Sequence, residues 1–512
     1  MARRSIPCLS QFEQIVIIAA HSCPASNMDP ASPHPAPNVV PLSRPWVVLA
    51  IYLVVTGLFY GFVTHFPIGP VEPIGPGPLD RAIPHWPLTV PLYLSYLLVM
   101  PALVAAGRNR AWLLPAFFAG ALAAIACLFC HLFHPTQVLR PETADRWLVW
   151  LYQIDSPLAA SPSGHVALPV AIAVVLAGLR KRISAVFIAW STLLAVTVLT
   201  TGQHLVADVG YGVAMGLVAA AATLALLRLD VDLRTMSALL AEWSGIVITL
   251  RLAIVCGNGY LCALAALVIA TRQHALFILY HDATHYQLTR RRRANDFLIN
   301  TAIGLPGLVP VEFYRPLHLA HHREVGSPRD PERQFLYYGQ PWQFRPLGAL
   351  ALARQLLGDL LVLNMVRNMA AYRRSNPQPI RLGKPFFAAG VVWIAIVATL
   401  VATCSAHTLA IGALLWFGPL LTLSVMIQKI RSMAEHSGGP HQTPGWADWT
   451  YSWRVGWLGR VLLWPYHINL HLQHHRTPAI PWHALPGEIR PDDARLDAGA
   501  LLPLLWEERK RG

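Results

Sequence analysis

An all-α polytopic membrane protein, a six-helix bundle followed by a four-helix, histidine-rich domain, is predicted by three features of the sequence. Hydrophobic residues make up 54% of the chain and charged residues only 13%, unlike an ordinary soluble domain. Apolar runs of about 18 to 22 residues recur, each long enough to cross a bilayer. Arginine clusters lie between those runs, so the formal net charge of +14 reads as a positive-inside bias, and no nucleic-acid partner is expected.

Residues 1–44 are rich in Pro, Ser and Ala and are expected to be a disordered segment. Ile15 to Ala20 is too short to span, Arg3 and Arg4 make a poor signal peptide, and Met28 is an alternative start. Six spans follow, at about 46–64, 86–106, 111–133, 165–179, 184–201 and 205–227. Arg44, Arg108, Arg110, Arg180 to Arg182, Arg228 and Arg234 all fall on one face of this set, which positive-inside reasoning assigns to the cytoplasm. Cys127 and Cys130 lie inside an apolar run and read as small helix residues; no disulfide framework is indicated.

After a linker at 229–237, residues 238–512 form the second domain. Residues 238–256 and 260–280 make a helical hairpin around Gly257-Asn258-Gly259, with Glu242, Arg251 and Arg272 as its polar interruptions. A further hairpin is expected at 386–404 and 409–427. Residues 347–365 are apolar but interrupted by Arg354 and Asp359, which suits a helix lying along the interface. The Trp-rich segment from Trp446 to Trp464 is expected to be another interfacial helix.

Within residues 45–228, three short patterns converge at one membrane level: Arg140-Pro141, Ser161-Pro162-Ser163-Gly164-His165, and Gly202-Gln203-His204 with Asp208. A helix starting after Ser163 and Gly164 offers backbone N–H groups to a phosphate, and Arg140 can add a bidentate contact. His204 and Asp208 are four apart, so the carboxylate can orient the imidazole. These motifs resemble the RP, PSGH and HxxxD motifs of the type 2 phosphatidic acid phosphatase superfamily. The resemblance implies His204 as a nucleophile forming a phosphohistidine, Asp208 as its partner and His165 as the acid for the leaving group. It further implies Arg140, Ser163 and Gly164 as phosphate binders, with no metal in this half. Two of the superfamily's phosphate-binding cations would fall at Phe133 and Val198 and are missing. The pattern is nearer the inositol phosphorylceramide synthase-like branch, so hydrolysis and headgroup transfer both stay open.

The second domain carries three histidine boxes. His281 and His285 are four apart, and His318, His321, His322 and His471, His474, His475 each form HxxHH, with His436 following the last hairpin. On a helix the first two histidines of HxxHH share a face, with the third beside them, so one box can reach two metals. Nearly all-imidazole ligation suits a borderline metal such as iron. The boxes, with Pro328-Arg329-Asp330-Pro331 and Pro481 to Pro486 around them, resemble the membrane fatty acid desaturase superfamily over roughly 238–490. That resemblance implies a di-iron centre held by these nine histidines, activating O2 for desaturation of a lipid acyl chain. Asp282, Glu435 and Asn469 are candidates to support the imidazoles. His274, His407, His441, His467 and His483 lack box context and read as structural or interfacial.

Arg290 to Arg293 follow the first box and assign it to the cytoplasmic side, with the phosphatase-like motifs on the opposite, periplasmic side of a bacterial inner membrane, about 30 Å away. With no HPGG haem segment, a separate ferredoxin or cytochrome b5-like donor is expected. The Arg290 to Arg293 and Arg373 to Arg381 surfaces are its candidate docking sites, although a solvated positive-inside loop explains them better. The chain is thus expected to edit one lipid class, sphingolipid-like or glycerophospholipid, in its acyl chain and its headgroup. The alternative is a lipid hydroxylase or ketolase with a degenerate phosphatase half acting as a lipid-binding scaffold.

Overall fold

A computed structural model describes residues 42, 44–67, 70–327, 329–332, 349–375, 380–436 and 449–501. Most of the N-terminal segment, with Met28, and also Pro328, His441 and Trp446 lie outside them. The chain divides into two compact units, residues 34–233 and residues 234 onward. Among the described residues nine helices are long and apolar enough to cross a membrane, and the protein is an integral membrane protein.

In the first unit the helices used below are α1 (Pro45–His65), α2 (Leu113–Phe133), α3 (Arg146–Ile154), α4 (Gly164–Leu179), α5 (Lys181–Thr200) and α6 (Val206–Arg228). The predicted span at 86–106 is jointed, running as 3-10 and α pieces from Pro87 to Gly107, because Pro91 and Pro101 each remove a helical N–H. α4 has only 16 residues, so the expected division into six and four spans is not established. α2 and α4 form the centre of the unit, with Ala116, Leu168, Ile172 and Leu176 fully enclosed.

Lipid is as apolar as leucine, so helices in a membrane associate through close packing rather than burial from water. Gly212 and Gly216 provide that closeness on α6. A Cβ at either would stand 2.6 Å from a carbonyl oxygen near or on α4, that of Ser163 and that of Ala167 respectively. The start of α6 is thereby drawn against the start of α4, where the two predicted histidines lie. Strands β1 (Glu72–Ile74) and β2 (Thr136–Val138) pair in parallel, Glu72 opposite Thr136, and tie the loops at that end.

In the second unit α7 (Leu233–Cys256) and α8 (Gly259–Thr284) form the expected hairpin. The Asn258 side chain caps α8 by accepting from the Tyr260 and Leu261 N–H groups. α8 outruns its predicted end and keeps its last turns buried, so the first histidine box is inside protein. Short α9 (Arg292–Ile299) and a π turn, Asn300–Gly304, lead to α10 (Val311–Glu324), whose first N–H donates to the Asn300 side-chain oxygen Oδ1 at 3.0 Å.

The predicted interfacial helix at 347–365 is two helices, α11 (Ala349–Leu360) and α12 (Leu363–Ser375), broken where Val362 takes φ +62°. Asp359, the charge that interrupts the run, is buried with Lys429 and Asn364. α13 (Lys384–Thr403) and α14 (Ala406–Leu421) form the last hairpin, and after Thr422 the chain continues as α15 (Leu423–Glu435) to reach His436. Between Trp449 and Trp464 there is no continuous interfacial helix. A strand β3 (Ser452–Arg454), paired in parallel with β4 (Arg495–Asp497), precedes short α16 (Trp457–Leu462). Trp453 is fully buried, stacked on Trp464 with ring centres 5.3 Å apart. These tryptophans therefore pack the interior under the third histidine box, α17 (His471–Arg476).

Candidate metal centre and a second histidine site

α8 brings His281 and His285 to the centre, α10 brings His318, His321 and His322, α15 ends on His436, and α17 supplies His471, His474 and His475. His285 and His322 are half-buried, and the other seven are buried. The nine sort into two sets. Ligand atoms of His281, His285, His318, His322 and His474 lie within 4.8 Å of one another, as do those of His321, His436 and His475. His471 joins the second set, its Nε2 standing 3.0 Å from His436 Nε2 and 3.2 Å from His475 Nε2.

Hydrogen bonds on the outer ring nitrogens determine which atoms face inward. His318 Nδ1 donates to Glu332 Oε1 at 2.8 Å, His321 Nδ1 to Asp330 Oδ2 at 2.8 Å, and His436 Nδ1 to the Trp449 carbonyl at 3.1 Å. Their Nε2 atoms are left as acceptors. Yet His321 Nε2 is 3.2 Å from His436 Nε2, and His318 Nε2 is 3.0 Å from both His285 Nε2 and His322 Nε2. Ring nitrogens converging this closely need a proton or a metal cation between them, and the donor set fits two metal ions. Buried His281 Nε2 has no hydrogen-bond partner in the protein, which suits the same reading.

Burial, with neighbouring imidazoles as the next cause, holds His318, His322, His436 and His471 well below the ordinary imidazole range. His474 and His475 follow the same pattern, and His285 is lowered to about 3 by burial and then Arg315. Neutral imidazoles are the ligating form. His321 differs: burial lowers it, but Asp330 and Glu332 beside it outweigh burial and raise it to about 9, marking where positive charge is stabilised. Arg315 fixes the end of α8, donating from Nε to the Thr284 carbonyl at 2.8 Å while its terminal nitrogens pair with Asp296.

The three predicted supporting residues differ in place. Asp282 Oδ2 accepts the Trp482 backbone N–H at 3.2 Å, joining the first box to the segment after the third. Asn469 gives its amide N–H to the Trp453 carbonyl at 2.8 Å, and its Oδ1 has no partner; it holds backbone rather than an imidazole. Glu435 stands on the inward side, with Oε2 3.6 Å from His471 Nε2. The sequence reading missed Glu332 and gave Asp330 no role; carboxylates shortly after a histidine box are the signal available for both. Of the remaining histidines, His274 is buried and bonded to the Leu463 carbonyl, His407 is exposed, and His467 and His483 pack on Trp482.

In the first unit His204 Nδ1 donates to the Ala160 carbonyl at 2.7 Å, which turns Nε2 toward His165 Nδ1, 3.3 Å away. Asp208, the expected partner, is 3.9 Å from His204 Nδ1 and accepts the Leu205 N–H at 2.8 Å. Asp208 is also the third residue of α6, where its side chain accepts the N-cap N–H. Burial first, then His165, keep His204 well below the ordinary range, so its Nε2 is a free base.

Arg140 also departs from expectation. Its terminal nitrogens hold the carbonyls of Tyr152 and Asp155 and the Gln203 side-chain oxygen, anchoring the loop. Arg140 Nε, Gln203 Nε2 and Ser163 Oγ are instead buried without partners. Gly164 is the first residue of α4. The places of the two missing cations stay apolar, Phe133 partly exposed and Val198 enclosed with Leu148 and Leu151.

The fatty acid desaturase family model matches residues 258–494, which include all nine histidines. A beta-carotene 4-ketolase of Protosiphon botryoides is 26% identical over 41% of this chain and 47% of its own length. The dihydrorhizobitoxine desaturase of Bradyrhizobium elkanii is 25% identical over 48% of this chain and 72% of its own. Beta-carotene 4-ketolase 3 of Haematococcus lacustris is 26% identical over 49% and 68%. The chain thus spans about half the length of the first of these relatives. No solved structure matches significantly. These comparisons support a desaturase domain in the C-terminal half and give no support to a phosphatidic acid phosphatase domain in the N-terminal half.

Proposed function

We propose that this chain, whose C-terminal half carries a fatty acid desaturase domain, is an O2-dependent membrane oxidoreductase that inserts oxygen into a lipid-soluble substrate, as a hydroxylase or ketolase. The observation that carries the reading is the nine-imidazole cage, with Nε2 atoms of both sets turned inward at 3.0 to 3.2 Å. His281, His285, His318, His322 and His474 would hold one iron, and His321, His436, His471 and His475 the other. Two irons bound there would supply the oxidising power to break an unactivated C–H bond. The protein's part is to favour neutral imidazoles by burial at the ligands other than His321, and to orient His318, His321 and His436 through Glu332, Asp330 and Trp449.

Two of the three relatives named above are carotenoid ketolases, which favours oxygen insertion into a long apolar substrate. The desaturase relative keeps removal of a second hydrogen as the other outcome. An electron donor of ferredoxin or cytochrome b5 type completes the reading, with the boxes on the cytoplasmic face beside Arg290 to Arg293.

For the first unit the second reading is phosphate hydrolysis or headgroup transfer on a lipid. It is favoured by one observation, the base at His204 Nε2 facing His165 with three buried, unpartnered polar groups on Arg140, Gln203 and Ser163. His204 would attack phosphorus while His165 protonates the departing oxygen. A scaffold that only binds lipid is the competing account.

One experiment separates these outcomes: expression of the whole chain, H318A and H204A under 18O2, with mass spectrometry of total lipids. Oxygen insertion predicts 18O-labelled products lost in H318A; desaturation predicts products two hydrogens lighter without label. A catalytic first unit predicts a headgroup change lost in H204A, and a scaffold predicts none. Identical lipids in wild type and H318A would end the main reading.

A further inference from the structure

The two imidazole sets are unequal, five against four, and one further buried donor stands at the smaller set. Groups that merely orient the imidazoles lie at Nδ1, as Glu332, Asp330 and the Trp449 carbonyl do. Glu435 is placed otherwise. Its Oε2 is 3.6 Å from Nε2 of His471, the same nitrogen that faces His436 Nε2 at 3.0 Å and His475 Nε2 at 3.2 Å. Glu435 is fully enclosed, at 0% exposure, and its Oε1 is buried with no hydrogen-bond partner. An acceptor left in that state is costly unless something absent from the protein itself satisfies it. Arg431, four residues earlier, pairs with Oε2 and leaves Oε1 unsatisfied.

We infer that Glu435 is a metal ligand, the oxygen donor that completes the four-imidazole set. The inference rests on the iron reading above and deepens it. The centre is then asymmetric, one ion in five neutral nitrogens and the other in four nitrogens and an anionic oxygen. A carboxylate is a harder and charged donor, so the two ions differ in electronic environment and in affinity.

The test uses the full-length protein loaded with 57Fe, comparing wild type with E435Q and R431Q by iron content and Mössbauer spectrum. Wild type is expected to show two distinct iron environments. E435Q should lose one of them, its iron affinity at that position falling about 10- to 100-fold, while R431Q, which keeps the carboxylate, retains both. Elution and thermal midpoint of the metal-free chains control for folding. Should E435Q not fold, E435D, which withdraws the oxygens by one methylene, takes its place. An unchanged spectrum in the Glu435 variant overturns the inference, and so does equal iron loss in E435Q and R431Q, since the carboxylate would then act through its ion pair. A wild-type chain that takes up no iron would overturn the iron reading itself.

Discussion

Asp330 and Glu332 each accept a hydrogen bond from the outer nitrogen of a boxed histidine at 2.8 Å, so the inward direction of two ring nitrogens is fixed by carboxylates in the loop after α10. Asp330→Asn keeps the shape and removes the charge. Iron affinity in the full-length chain should fall about 10- to 100-fold, read by competition with a chelator; unchanged affinity would deny Asp330 this role. At this scale the sequence was uneven in what it disclosed. Eight histidines were legible because box spacing places them on shared helix faces, and the ninth, His436, entered through the resemblance to the desaturase superfamily. Glu332 was not, since no periodicity describes the course of a loop. His204 was legible as a base, but its orienting partner is the Ala160 carbonyl, and a backbone oxygen has no signature in the sequence. The i, i+4 spacing does bring Asp208 to 3.9 Å from His204 Nδ1, but spacing could not show that its carboxylate also caps α6.

The element on which both histidine sets depend is α17, six residues long and far too short to be stable by itself. It is held from outside the centre by Asp493, which accepts from Gln473 Nε2 at 2.7 Å, from the Arg490 N–H at 2.8 Å and from both terminal nitrogens of Arg476. Ser452 on β3 adds a 2.7 Å bond to the Gln473 side-chain oxygen. Arg476, with the backbone and Gln473 contacts, holds the Asp493 carboxyl well below the ordinary carboxylate range.

A lowered folded-state value means stability that is full above the unfolded value, about 4, and lost as pH falls toward the folded one. D493N should therefore destabilise the metal-free protein at neutral pH by about 1.5–3 kcal/mol. The gap from wild type should close below about pH 4. Thermal unfolding in detergent across pH measures both; a gap constant with pH would mean that the ionic contact contributes nothing. Among larger elements, the apolar runs were readable because hydropathy reports burial in lipid. The break at Val362 was not, because it lies beside the buried pair of Asp359 and Lys429, which are distant in sequence.

For the whole molecule, two compact units each gather histidines that are distant in sequence, at one site by close glycine packing and at the other by carboxylate and backbone anchors. The histidine boxes carried most of the functional reading, because their chemistry is encoded in residue type and spacing together. The first unit was less legible, since its polar groups are shared between anchoring the loops and facing the histidine pair, and spacing cannot separate those duties. The central claim is that the second unit is a two-metal iron centre built on nine imidazoles. Metal analysis of the full-length protein purified from iron-supplied cells tests it most directly, with H318A and H475A beside it. The account predicts about two irons per chain in wild type, with loss in each variant from the set to which its histidine belongs; a chain without iron, or one whose iron is unaffected by both substitutions, would contradict it.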